Sequence, residues 1–323
     1  MKAIVYHEYG PPDVLKCEEV EKPVPKDNEV LIKVRAASVN PLDWRVMKGE
    51  PKVVRIAAKL LGLKTGRPGV DVAGEVEAVG RKVTQFKPGD RVFGGGRGAF
   101  AEYATSTEKN IVMKPESVTF EQAASVYVAG LTALQGLRDK GRIQPGTKAL
   151  INGAAGGVGT FAVQLAKTFG AKVTGVCSTR NLEMVKSIGA DTVIDYTKKD
   201  FTKLAMHYDV ILECVGNKSL SECRRVLNPK GRTLMVGAPH DPTLVSMIGP
   251  FIKALLTSPF MSRKAIPVLG KPSQKDLNFL GELIAMGRLT PVIDRVYDLN
   301  ETADALQYLE QGHARGKVIV AVR

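Results

Sequence analysis

The sequence predicts an α/β chain in which a β-rich first part precedes a doubly wound parallel sheet. Three observations carry that expectation. Strand-length apolar runs broken by Gly and Pro fill roughly the first 120 residues. Strands and helices then alternate in one continuous series, and a glycine-rich turn joins the first strand of that series to its first helix.

Taken in order, Ala3-Ile4-Val5-Tyr6 opens the chain as a strand. Lys26-Asp27-Asn28-Glu29 is a polar turn ahead of the β-rich run Val30 to Arg35. Gly74 to Val79 reads as another strand, and Lys87-Pro88-Gly89-Asp90 marks a turn before Arg91-Val92-Phe93. From about Phe120 the rhythm changes. Thr147 to Ile151 is a strand, and the apolar spacing from Gly157 to Phe169, closed by Gly170, predicts a helix. The unit then repeats, with strands over Lys172 to Val176, Thr192 to Ile194, Asp209 to Cys214 and Thr233 to Val236, and helices over Leu182 to Ile188 and Ser219 to Leu227. After Pro239 the pattern loosens through Pro250, Pro259, Pro267 and Pro272. A helix over Asp276 to Met286, a strand at Val292-Ile293, a helix over Glu301 to Gln311 and a last strand over Lys317 to Val322 follow.

The 323 residues are 44% apolar and 24% charged, enough for two domains with separate cores. That excludes a small stapled scaffold and a disordered tail. The net charge of +13 favours anionic partners, yet the basic residues are spread among apolar ones, and Lys198-Lys199 is too short a run for a nucleic-acid tail. Cys17, Cys177, Cys214 and Cys223 form no CxxC pair, so reduced thiols in a cytoplasmic compartment are expected. Met1-Lys2 runs into the first strand without a signal core. The stretch Leu244 to Leu256, broken by Pro250 and Lys253, falls short of the roughly 18 apolar residues of a spanning helix.

Chemistry concentrates at Asn152-Gly153-Ala154-Ala155-Gly156-Gly157-Val158-Gly159, between a strand and a helix. Glycines there let backbone N–H groups and the helix N-terminus approach a pyrophosphate, which makes Ala155, Gly156, Gly157 and Val158 its expected contacts; Ala154 departs from the first Gly of the usual G-x-G-x-x-G. The next strand ends in Gly175-Val176-Cys177-Ser178-Thr179-Arg180, with no acid for a ribose 2′-OH. Two hydroxyls and the Arg180 guanidinium suit a 2′-phosphate, so NADP(H) is the expected cofactor, with Tyr196 as a weaker candidate near the adenosine. Cys214-Val215-Gly216 and Gly237-Ala238-Pro239 end two further strands, where small residues let the nicotinamide ribose approach. Cys214 reads as a small buried residue and not as a nucleophile.

These residues resemble the medium-chain dehydrogenase/reductase superfamily, in its zinc-free quinone oxidoreductase-like branch. The likeness runs end to end through Ala36 to Asp43, Pro68 to Gly74, Lys87 to Val92, Ala129 to Ala133, the Ala154 to Gly159 turn and Gly312 to Lys317. It implies a GroES-like catalytic domain over 1–120, a Rossmann NADP(H)-binding domain over 121–260 and a return to the catalytic domain over 261–323. It also implies an active site in the cleft between them and a homodimer.

Zinc-dependent relatives supply Cys, His and Cys or Glu at three matched positions, which here hold Asn40, Val70 and Val128. The resemblance therefore implies hydride transfer to an already electron-poor acceptor, a quinone or the activated C=C of an α,β-unsaturated carbonyl, and not alcohol oxidation. Asn40 is the expected residue for orienting the substrate or the nicotinamide ribose, and Tyr127 for donating a proton to an enolate or for packing. Thr132 and Lys317 are further cofactor candidates. Trp44 and Phe251 read as pocket walls or core, and Asp43 and Asp71 as an interdomain salt bridge or turn cap. Beside the enzyme stand two other classes on the same fold: a single-stranded-RNA binder, suggested by +13 and such binding in relatives, and a peripheral membrane protein, suggested by Leu244 to Leu256 before Arg263-Lys264. No aromatic and basic stacking platform supports specific nucleic-acid binding.

Overall fold

The computed structural model describes residues 1–49, 66–237, 249 and 262–323. Its strands in chain order are β1 (Lys2–Val5), β2 (Lys16–Glu19), β3 (Glu29–Ser38), β4 (Asp71–Val79), β5 (Arg91–Gly95), β6 (Tyr103–Thr107), β7 (Ile111–Met113), β8 (Lys148–Asn152), β9 (Lys172–Cys177), β10 (Thr192–Asp195), β11 (Tyr208–Glu213), β12 (Leu227–Met235), β13 (Lys264–Pro267), β14 (Ile293–Asp298) and β15 (Lys317–Ala321). The helices that matter below are α1 (Pro41–Lys48), α2 (Phe120–Ala124), α3 (Tyr127–Gln135), α4 (Gly157–Thr168) and α5 (Leu182–Ser187).

Two compact units form, Met1–Leu131 with Pro272–Arg323, and Thr132–Lys271. Both boundaries fall later than the expected 120/121 and 260/261. The physical reasons are local: α2 packs against β3 and β4 of the first unit, and β13 pairs with β12 of the second.

The first unit is built on a seven-stranded sheet ordered β14-β15-β3-β4-β5-β7, with β6 pairing β3. All its pairings are antiparallel except β14 with β15. Long β3 is buried at eight of its ten positions, as a strand covered on both faces must be, and Val30, Ile32 and Val34 join Trp44, Met47, Val318 and Val320 in one core. Trp44 is thus a core residue. The register aligns Ser38, Asp71 and Gly95 in one row across β3, β4 and β5, so polar groups far apart in sequence meet at one end of the sheet.

The second unit carries six parallel strands in the order β10-β9-β8-β11-β12-β13. Chain direction across this sheet reverses between β8 and β11, which is where a doubly wound sheet opens a ligand crevice at its carboxyl ends. Strand β13 was not expected from the sequence. Pro267 ends it on the outer strand, a position where the missing N–H leaves no ladder bond broken.

Candidate active site

In the first unit the sheet row of Ser38, Asp71 and Gly95 organises a buried polar cluster. Asp71 accepts from the Ser38 hydroxyl at 2.6 Å, from the Val128 backbone N–H at 3.1 Å and from the Lys317 ammonium at 3.1 Å. Lys317 also donates to Asn40 Oδ1 at 2.7 Å, and Asn40 Nδ2 donates to the Ser38 carbonyl at 3.3 Å. Burial is nearly complete, with the Lys317 and Asp71 side chains 4% and 0% exposed. Such a pair is tolerated because the Asp71 carboxylate also accepts from Ser38 and Val128 and the Lys317 ammonium also donates to Asn40.

The three positions vacated by metal ligands are therefore gathered around one carboxylate: Val70 precedes Asp71, Val128 donates to it, and Asn40 reaches it through Lys317. Their chemistry does not fit zinc. Two are valines, the amide oxygen of the third already accepts from an ammonium, and no cluster of three or more His, Cys, Asp or Glu suited to a metal occurs among the described residues. Asp71 was expected in an interdomain salt bridge or as a turn cap. Its bridge to Lys317 lies within the first unit, because β15 returns to pair with β3.

Asp43 does cap a turn. Its carboxylate accepts from the Asn40 N–H at 2.8 Å at the start of α1, and burial pushes its pKa up to about 7 despite that bond. Tyr127 opens α3 with 8% exposure, its ring lying on Gly95, where a Cβ would run into the ring. Burial first and the Asp71 charge second push its phenol up to about 12, so the hydroxyl keeps its proton at neutral pH.

In the second unit the glycine-rich turn follows β8. Gly153 has φ +82°, and a Cβ on Gly159 would strike the Gly153 carbonyl, so both positions demand glycine. Ala154 is accommodated at the imperfect position because Gly175 on β9 leaves room for its methyl. A Cβ on Gly156 would meet nothing nearer than the Gly153 carbonyl at 3.5 Å, so this part of the turn is open. Gly157 and Val158 begin α4, where N–H groups have no partner within the helix. These features fit a pyrophosphate.

At the end of β9, Ser178 Oγ accepts from Asn181 Nδ2 at 3.2 Å and keeps its own proton to donate. The expectation of two hydroxyls with no acid beside them needs correction. The parallel register sets Asp195 of β10 beside Cys177, and its carboxylate accepts the Thr179 hydroxyl at 2.6 Å. Tyr196, 57% exposed, follows on β10, bonded to Cys177 through its backbone. Arg180 lies exposed in the same turn.

Glu213 was missed by the sequence reading. Buried at the end of β11, it accepts from Asn152 Nδ2 at 2.8 Å and from the Val215 and Gly216 N–H groups at 3.0 and 2.9 Å, while its own carbonyl accepts from Val236 and Gly237. It ties three strand ends together. Gly237 lies so close to the Cys214 carbonyl that a Cβ would clash, which brings Cys214, Val215 and Gly237 to one place. Burial raises the Cys214 thiol well above its usual range, so it is no nucleophile. Thr132 packs against Gly270. Ala238, Pro239, Phe251 and the stretch 244–256 apart from residue 249 lie outside the described residues. No helix among the described residues is long and apolar enough to cross a membrane.

Comparison with known proteins agrees with the fold. Residues 26–116 match the alcohol dehydrogenase GroES-like domain and residues 188–320 the zinc-binding dehydrogenase family. The chain is 37% identical to a chloroplast envelope quinone oxidoreductase homolog of Arabidopsis thaliana, over 99% of this chain and 98% of that one. It is 35% identical to an NADPH-dependent alkenal/one oxidoreductase of the same plant, over 99% and 79%. The solved quinone oxidoreductase of Coxiella burnetii superposes with a TM-score of 0.88 at 34% identity, covering 100% and 99%. With a GroES-like unit, a parallel Rossmann sheet and relatives this close along its whole length, the chain belongs to the medium-chain dehydrogenase/reductase superfamily, in its quinone oxidoreductase-like branch, and is an oxidoreductase.

Proposed function

We propose that this protein reduces quinones or the activated C=C of α,β-unsaturated carbonyls with NADPH and without zinc. The observation that carries the reading is the occupancy of the vacated metal positions by Asn40, Val70 and Val128 around the Asp71–Lys317 pair. A neutral amide polarises an oxygen by hydrogen bonding alone, which suffices for an acceptor that delocalises the incoming charge and not for an unactivated alcohol.

NADPH supplies the hydride. Ala155, Gly156, Gly157 and Val158 hold its pyrophosphate, Ser178, Arg180 and Tyr196 its 2′-phosphate, and Thr132, Cys214, Val215 and Gly237 its nicotinamide end, with Ala238 and Pro239 continuing that last set. Asn40 addresses the substrate oxygen. Tyr127, held protonated by burial, donates to the developing enolate. A homodimer also fits, since β13 is the outer strand of its sheet among the described residues and leaves an edge that a second copy can pair.

The test is a substrate panel followed by loss of nicotinamide absorbance after chelator treatment. Turnover of quinones and enals with NADPH, and none of primary alcohols with NADP⁺, is expected. Activity that appears only with added zinc defeats the reading.

A further inference from the structure

We propose that Lys317 is a positioning residue that sets the polarity of the Asn40 side chain, so that the amide offers only an N–H donor to the carbonyl oxygen of the acceptor. The inference rests on the reading of Asn40 as the residue that addresses the substrate.

The two ends of an asparagine amide have nearly the same shape, and only their partners distinguish oxygen from nitrogen. Here the partner decides. An ammonium has three N–H groups and no acceptor, so the atom of Asn40 2.7 Å from Lys317 Nζ must be oxygen. Lys317 cannot leave that post easily, because Asp71 holds it from the other side at 3.1 Å and both side chains are buried. Asp71 is itself fixed by Ser38 Oγ and the Val128 N–H. Turning the amide over would set its NH₂ against the ammonium and its oxygen against the Ser38 carbonyl, replacing two attractions by two repulsions.

The consequence lies in what remains. One Nδ2 hydrogen goes to the Ser38 carbonyl at 3.3 Å, and the second has no partner among the described residues. Asn40 therefore has its oxygen turned to Lys317 and an N–H left to donate. A quinone, enal or enone oxygen accepts such a bond, and accepts it more strongly as negative charge gathers there on hydride addition to the conjugated carbon. An alcohol substrate needs its hydroxyl proton received, and the amide oxygen that could receive it is turned to the Lys317 ammonium instead. The buried ion pair thus favours carbonyl acceptors over alcohols without touching either.

Asn40→Asp separates the two roles of the side chain. The substitution keeps an oxygen towards Lys317 and removes the donor, whereas Asn40→Ala removes both. The expected result is that both variants lower kcat for quinone and enone by roughly a hundredfold to a thousandfold, with the NADPH dissociation constant within about twofold of wild type. The double variant Asp71→Asn with Lys317→Met, which removes the pair without leaving a buried charge, releases the amide to turn over and lowers kcat by at least about tenfold while circular dichroism reports a folded chain. Asn40→Asp at near wild-type kcat overturns the proposal, since holding Lys317 would then be its whole task. Tenfold weaker NADPH binding with kcat preserved also overturns it, by assigning the amide to the cofactor.

Trp44, the single tryptophan, lies one turn beyond Asn40 in α1 and supplies a readout independent of turnover. If the wild-type protein is inactive on the panel, the functional reading fails by itself, and quenching of Trp44 by a benzoquinone still tests the amide. Weaker quinone binding in Asn40→Asp supports the donor role. Equal binding, or none in either protein, overturns it.

Discussion

Replacing Asp71 by alanine removes the centre of the buried cluster and leaves the Lys317 ammonium, 4% exposed, with the Asn40 amide oxygen as its one hydrogen-bond acceptor among the described residues. Breaking a buried ion pair from one side costs about 3–5 kcal/mol, most of it the penalty of an uncompensated charge. The Ser38 hydroxyl and the Val128 N–H lose their acceptor as well, which places the expected loss towards the upper end. For a domain of about 150–250 residues each kcal/mol moves the melting temperature by roughly 2–4 °C, so Asp71→Ala should melt about 6–20 °C lower. Thermal and urea unfolding followed by circular dichroism measure it, with Asp71→Asn and Lys317→Met closing a double-variant cycle. The double variant should recover much of the single-variant losses, because no charge is then left unpaired. A loss below about 1 kcal/mol for Asp71→Ala, or strictly additive losses in the cycle, would refute the account of this cluster.

Three further outcomes are expected. Arg180→Ala should weaken NADPH by roughly tenfold to a hundredfold and leave NADH almost unchanged, as a charge-assisted contact of about 1.5–3 kcal/mol implies; equal losses for both cofactors in a fluorescence titration contradict the 2′-phosphate assignment. Tyr127→Phe should slow enal reduction about tenfold or more and spare quinone reduction, which can take protons from water, so wild-type rates on both substrates would reduce Tyr127 to packing. Asp43, ordinarily near 3.8 and held near 7 by burial, keeps in the fold a proton that the unfolded chain has released. Its contribution therefore falls as pH rises between those values, by about 1.4 kcal/mol per unit, and urea titrations of Asp43→Asn should lack that part of the slope; unchanged slopes in the variant oppose the assignment.

Local pattern made much of this molecule legible. The apolar run of β3, the alternation from β8 to β12 and the glycines at 153 and 159 each obey a rule that acts within a few residues, so the elements and the pyrophosphate turn could be read directly. What stayed hidden acts across the sheets. Lys317 meets Asp71 from 246 positions away, and only the antiparallel pairing of β15 with β3 brings them together. Asp195 reaches the end of β9 through a parallel register that no sequence window contains, and Glu213 looked like an ordinary strand end until three strands converged on it. The unit boundaries moved for a related reason: α2 and β13 join their units by packing and pairing, which the helix and strand patterns do not encode.

The most direct measurement of the central claim follows the hydride itself. Chelator-treated protein is given an α,β-unsaturated ketone and NADPH deuterated at the transferable C4 position of its nicotinamide, and the product is examined by mass spectrometry and NMR. One deuterium at the β-carbon of the saturated ketone, formed at the same rate before and after metal removal, is the predicted result. Product without deuterium at that carbon, or deuterium transfer that stops on chelation and returns with zinc, would contradict it.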